Sequence, residues 1–166
     1  MAARVGVTEP VVFQNFKSKA ALFATVVEQA AERMCAQLAG AAASGISVSV
    51  LLTGLTSPAH LDQLHAQGSL GVLFADSVAA TAEPAVAEAG RVAVRRIAQE
   101  LADLFQQGQA AGELRASVDA DAAAWLLISL ISARPLRLAA LPSDARERLE
   151  RELAAMATGL LTPPEG

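Results

Sequence analysis

The chain of 166 residues suits one domain, or one domain with a small appendage. Its composition is 53% hydrophobic and rich in alanine, so it can bury a substantial helical core. A formal net charge of −4 argues against a protein that coats nucleic acid over its whole surface. One cysteine, Cys35, excludes an internal disulfide and fits a reducing cytoplasm, and we expect it to be a packed thiol.

Targeting signals are lacking in the sequence. The longest apolar run, Ala122–Ala133, is short for a membrane span and contains two serines. The first residues lack the basic start and apolar core of a signal peptide. We therefore expect a cytoplasmic protein with no membrane association. Residues 163–166 form a proline-rich tail.

The first 23 residues, MAARVGVTEPVVFQNFKSKAALF, predict the later two-thirds of a helix-turn-helix and the start of a third helix. A short alanine-containing helix ends at Gly6, because glycine accepts the left-handed backbone that closes a helix. Thr8 follows as an N-cap, and Pro10 stands in the first turn, where its missing N–H costs nothing. The second helix is predicted over Glu9–Phe16.

This segment resembles the TetR/AcrR-like bacterial transcriptional regulators. Their DNA-binding domain ends in the pattern A-A-x-x-G-V-[ST]-x-x-x-[LVI]-[YF]-x-[HN]-F-x-[SN]-K-x-x-L. The match is dense and ungapped, and covers only about the first 23 residues. The matching residues are Ala2, Ala3, Gly6, Val7, Thr8, Val12, Phe13, Asn15, Phe16, Ser18, Lys19 and Leu22.

The resemblance implies that residues 1–20 are a partial DNA-binding domain whose second helix enters the major groove of an operator. Val11, Val12 and Gln14 are then the candidates to meet base edges. The sugar-phosphate backbone would be met by Thr8, Phe13, Asn15, Lys17 and Lys19. Two residues depart from the usual pattern: Phe13 lacks the phenolic O–H of tyrosine, and Asn15 cannot become charged as histidine can.

Charge supports an N-terminal DNA contact. Residues 1–20 carry a net charge of +2 and contain both lysines of the chain, whereas the remaining residues carry −6. A basic head on an acidic body is typical of a protein that docks on phosphate by one end. The alternative for the same residues is a small helical hairpin in which the phenylalanines are simply core. Because a helix-turn-helix of this kind needs a preceding helix to close its core, we also expect that Met1 is not the physiological start.

The rest of the chain shows helical periodicity almost throughout. The helical regulatory and dimerisation domain is predicted over residues 21–162. Ser18, Asp119 and Ser143 are predicted N-caps, and Ser57 and Pro58 open a further short helix. The segment 39–45 is predicted to be a loop, and 107–118 a linker. The predicted helices cover residues 18–38, 46–55, 57–64, 70–80, 83–107, 119–134 and 143–160.

The last two predicted helices indicate a homodimer. The helix Asp119–Arg134 is apolar on nearly every side and must be covered on every side. The final helix has an apolar stripe, and paired with a second copy the two helices would form a four-helix interface. The family resemblance likewise implies that the last two long helices form the dimer interface. The alternative is a helix central in its own bundle. The stripe consists of Leu149, Leu153, Met156 and Leu160, with exposed ion pairs predicted at Arg146–Glu150, Glu147–Arg151 and Arg148–Glu152.

No enzyme, metal or cofactor signature appears in the sequence. His60 and His65 are five residues apart, which is wrong for a shared helical face. No phosphate loop or nucleophile elbow is present. The middle helices instead predict a cavity for an apolar small-molecule effector. Its candidate lining residues are Leu55, His65, Leu70, Phe74, Asp76, Val78, Val94, Ile97 and Trp125.

These features predict an all-α homodimeric DNA-binding transcriptional regulator of the TetR-like kind, a repressor controlled by an apolar effector. Two alternatives remain. One is a DNA-incompetent dimeric all-α protein that binds small molecules. The other is a small all-α enzyme that uses His65 and Asp76.

Overall fold

The structure is a computed structural model that describes residues 18–80 and 82–163. Over these residues the chain is all-helical, with no strand, as the sequence predicts. The helices are α1 (Lys19–Ala43), α2 (Val48–Leu55), α3 (Pro58–His65), α4 (Leu70–Ala79), α5 (Pro84–Ala110), α6 (Ala120–Ser132), α7 (Arg134–Ala140) and α8 (Ser143–Leu161).

Short polar residues begin several of these helices. The side chains of Ser18, Ser57 and Asp119 accept backbone N–H groups three residues ahead at 3.1, 3.3 and 2.8 Å, which confirms the caps predicted at Ser18 and Asp119. Ser69 does the same at the start of α4. The prediction for Ser143 was wrong, because Pro142 occupies the cap position and no side chain caps α8.

Helix α5 is the centre of the bundle. It packs against α1, α4 and α6, and it carries more buried residues than the other described helices. Phe105 and Ala102 are among the least exposed residues of the core. Alanines and Gly90 let the helices approach closely. A Cβ added at Gly90 would lie 2.5 Å from Ser77 Oγ and 2.9 Å from the Val78 backbone nitrogen.

Two predicted loops are shorter than the sequence indicates. Helix α1 continues to Ala43 rather than ending near Leu38, because the alanines that follow favour helix. Gly45, with φ of +75°, then turns the chain. Helix α5 likewise continues to Ala110.

The rest of the predicted linker is an anchored loop. Glu113 Oε2 accepts the Val48 N–H at 2.7 Å and the Ser47 hydroxyl at 2.8 Å, and so caps α2. Two residues later, Arg115 donates its backbone N–H to Leu161 O at 2.7 Å. Gln109 donates to two carbonyl groups of the loop. The loop therefore ties the start of α2 to the end of α8.

The apolar helix predicted over residues 119–134 ends at Ser132, and a further helix begins at Arg134. Proline suits the first turn, so α7 follows α6 after Ala133 alone. Together, Ala120–Ala140 are the one stretch of the described residues that is long and apolar enough to cross a membrane, judged by length and composition. An apolar core helix meets the same criteria. The stretch contains Arg134 and Arg137, and 22% of its most apolar window is buried.

Candidate functional site

The DNA-contacting residues predicted from the sequence lie almost entirely outside the described residues. This applies to Thr8, Val11, Val12, Phe13, Gln14, Asn15 and Lys17, and to the predicted helix Glu9–Phe16. Lys19 is described; it is the first residue of α1 and is exposed. The DNA-binding head therefore remains a prediction.

Five of the nine predicted effector-binding residues belong to the hydrophobic core or pack against it. Phe74 and Ile97 are 7% and 8% exposed and belong to the central hydrophobic cluster. Leu55, Leu70 and Val94 are partly buried against the same cluster. Helices α2, α4 and α5 thus each contribute some of these side chains to the hydrophobic core, and their role in effector binding remains a prediction.

The other four lie at different places. His65 is partly buried, and its Nδ1 lies 2.9 Å from Leu61 O at the end of α3. Asp76 and Val78 are exposed, because the neighbouring Ser77 is the residue that α4 turns towards α5. Trp125 is 46% exposed on α6. Asp76 is therefore a solvated residue of α4.

Two crevices lie elsewhere in the bundle, and none of the nine predicted residues lines either of them. The larger, about 250 Å³, is an open groove between the end of α1 and α5, with Glu100 and Asp103 at its edge. The smaller, about 20 Å³, lies where α2, α3, α6, α7 and α8 meet.

A buried ion-pair cluster borders the smaller crevice. The Arg134 side chain is 3% exposed, and its Nε donates to Glu150 Oε1 at 3.1 Å. Its Nη2 donates to Asp62 Oδ1 at 2.6 Å, which links α7 to α3. Arg137 Nε lies 3.5 Å from the same Glu150 oxygen, and its Nη2 donates to Leu130 O at 2.8 Å.

This cluster corrects the predicted ion pairs of the last helix. Glu150 is 4% exposed rather than solvated, and it pairs with Arg134 and Arg137 instead of Arg146. The pairs Glu147–Arg151 and Arg148–Glu152 are also not formed among the described residues. One sequence pattern could have predicted the burial of Glu150. Glu150, Ala157 and Leu161 follow the spacing of one helical face, and all three are buried.

The apolar stripe predicted for dimerisation lies largely at the surface. Met156 is 69% exposed, Leu160 51% and Leu149 39%, all on α8. Trp125 on α6 is also exposed. Leu153 is partly buried and lines the smaller crevice. Leu127, in contrast, is 3% exposed and packs in the core of its own chain.

Cys35 is a buried thiol of α1, as expected. Burial raises its pKa, and the nearby Glu100 carboxylate raises the pKa further. A thiol held protonated is a poor nucleophile and a poor metal ligand. Among the described residues, no group of three His, Cys, Asp or Glu side chains is arranged to hold a metal ion.

Comparison with known proteins does not assign a family. No protein-family model matches the chain, and no curated protein matches it. The resemblance to TetR-like regulators therefore depends on the motif in residues 1–23 alone.

Proposed function

We propose that the chain is a TetR-like transcriptional repressor: a cytoplasmic all-α homodimer with an N-terminal DNA-binding head and a body that binds an apolar effector. The observation that carries the proposal is the twelve-residue motif match in residues 2–22. The end of the motif falls within the described residues. There Ser18 caps α1, which begins at Lys19, and this agrees with the register that the motif requires.

The surface of α6 and α8 supports the homodimer. The exposed side chains of Leu149, Met156 and Leu160 are spaced by seven and four residues, so they lie along one side of α8. Exposed apolar side chains in such a row are typical of an interface. Residues Ala120–Ala140 are mostly unburied within one chain. A second copy that contributes the same two helices would cover both surfaces around a two-fold axis.

The effector site is proposed in the core shared by α2, α4 and α5. Phe74, Ile97, Leu55, Leu70 and Val94 give it an apolar lining. An effector that binds there must separate α4 from α5, since Gly90 holds the two helices close together. Such a movement would be passed to α6, which packs on α5 and belongs to the proposed dimer surface.

Chromatin immunoprecipitation tests the DNA-binding function without assuming where the chain starts. The protein is tagged at its C-terminus at its own genomic locus, and the enriched DNA is sequenced. We expect a few sites that share a palindromic sequence and are lost with Gln14→Ala and Lys17→Ala. The control Gln106→Ala, an exposed change on α5, should keep them. Absence of enriched sites would favour the DNA-incompetent small-molecule-binding protein.

A further inference from the structure

Helix α7 reverses the usual arrangement of an amphipathic helix. Its buried residue is Arg134, and the Arg137 side chain is only 11% exposed, because both arginines are paired with Glu150. Leu136, in contrast, is 71% exposed and Leu138 41%. A helix that is held to its own bundle by arginines leaves its apolar side chains available to another surface.

The exposed side of α6 continues onto α7. Ala133, the residue between the two helices, keeps right-handed helical backbone angles, and its carbonyl oxygen accepts the Arg137 N–H at 3.3 Å. Exposed, uncharged residues then recur at helical spacing along both helices. This set, the α6–α7 row, consists of Ala122, Trp125, Ser129, Ser132, Leu136 and Ala139.

The order of side-chain sizes in the α6–α7 row is the same from either end. An alanine stands at each end, a large residue follows at Trp125 and at Leu136, and two serines stand in the middle. The spacing is symmetric as well, with steps of 3, 4, 3, 4 and 3 residues. In an interface with two-fold symmetry, a residue that contacts a second residue is contacted by it in return. A row that is the same in both directions therefore fits an antiparallel copy of itself.

We propose that the α6–α7 row packs against the same row of a second copy, around a two-fold axis that passes between Ser129 and Ser132. Trp125 then packs on Leu136 of the second copy, and the serines let the two helices approach closely. The Ser129 hydroxyl donates to Trp125 O at 2.7 Å within its own helix, and its lone pairs can accept a hydrogen bond from Ser132 of the second copy. The inference rests on the homodimer of the proposed function, and it adds α7 and a register to that interface.

Opposite charges at the two large positions test this register. Trp125 and Leu136 are eleven residues apart, about 16 Å along a helix, so substitutions at the two sites should act independently within one chain. Trp125→Arg and Leu136→Glu should each weaken association, measured by sedimentation equilibrium. Across the proposed axis the new arginine meets the new glutamate, so the double variant should associate at least about tenfold more tightly than additive effects would give. Additive effects would overturn the proposal.

Leu138 provides a matched control on the same helix. It is also exposed, but it lies two residues after Leu136 and therefore on a different side of α7. Trp125→Arg combined with Leu138→Glu should recover no association. Thermal unfolding of each variant verifies that the monomer folds.

The outcomes separate this inference from the proposed homodimer. If the unaltered protein dimerises and Met156→Glu weakens the dimer while Leu136→Glu does not, the homodimer stands and the pairing of the α6–α7 row is wrong. An unaltered protein that sediments as a monomer at micromolar concentration would contradict both.

Tryptophan fluorescence gives a second readout that needs no variant. Trp125 is the one tryptophan of the chain, so the emission reports on the α6–α7 row alone. The proposed pairing shields its indole from water, so dilution of the unaltered protein through the dissociation constant should shift the emission to longer wavelength. An emission spectrum that stays constant while the dimer dissociates would place Trp125 outside the interface and contradict the proposal.

Discussion

Arg134 and Glu150, sixteen residues apart on α7 and α8, form an ion pair in which both side chains are almost fully excluded from solvent. Asp62, by contrast, is an exposed partner of the same arginine. The pair therefore fixes the angle between the two last helices from the inside and reaches α3 at its outer edge. A buried pair of this kind is costly to break, because the remaining charge has no water to solvate it.

Arg134→Ala should lower the free energy of unfolding by about 3 kcal/mol, near the lower end for a broken buried pair because Arg137 still lies close to Glu150. Urea unfolding measures the change. The matched control is Arg96→Ala, which removes an exposed pair with Glu32 on α1 and should cost less than about 1 kcal/mol. The double variant Arg134→Met, Glu150→Leu should regain much of the loss. If Arg134→Ala and Arg96→Ala lowered the free energy of unfolding equally, the buried pair would not hold the fold.

Gly90→Ala should destabilise the protein by about 1–3 kcal/mol, because the new methyl group would overlap Ser77 and the backbone of α4. Thermal unfolding measures this loss of stability. Gly40→Ala on α1 is the control, since a Cβ there meets nothing within 4 Å. That change should stabilise the protein by about 0.5–1 kcal/mol through helix propensity. If Gly90→Ala were also stabilising, α4 and α5 would not cross as closely as described.

Glu113 should make part of the stability depend on pH. The Ser47 hydroxyl and the N–H groups at the start of α2 hold the pKa of its carboxyl below the usual value. A lowered pKa in the folded state means that the stabilisation is present above the unfolded pKa and is lost as the pH falls through the folded pKa. We therefore expect Glu113→Gln to reduce the melting temperature near pH 7 and to change it little in strong acid. A loss of the same size at both pH values would refute the assignment. Ser47→Ala, which removes only one of the donors, should show a smaller effect of the same sign.

The proposed dimer should be sensitive to charge on α8. Met156→Glu and Leu160→Glu place carboxylates on exposed positions, so the monomer should fold while its association weakens at least about 100-fold, equivalent to about 2.8 kcal/mol. Val50→Glu on α2, at a position 61% exposed and outside the proposed interface, is the control and should leave association unchanged. Sedimentation velocity at micromolar concentration distinguishes the species. An unaltered protein that sediments as a monomer would exclude the dimer. Leu127→Asp is unsuitable for this test because it would unfold the core.

Local rules predicted most of the helices. The caps Ser18 and Asp119 were recognised because a cap and its partner lie three residues apart. The same local reasoning failed at Glu150, where the i,i+4 rule pointed to Arg146 and the true partner lies on another helix. Periodicity placed Phe74 and Ile97 on apolar faces of their helices, and both lie in the hydrophobic core. Trp125 was misjudged as a cavity residue because an evenly apolar helix does not reveal which side faces its own core.

The anchored loop between α5 and α6 has a consequence for the order of folding. Helix α2 has eight residues, too few to persist alone in water, and its first N–H is satisfied by a carboxylate 65 residues later in the chain. Closure of that long segment has to precede the stabilisation of α2. We therefore expect α2 to gain protection late in pulse-labelled hydrogen exchange, after α1 and α5 have paired, and Glu113→Gln to speed unfolding while hardly slowing folding. Early protection of α2 would contradict this order.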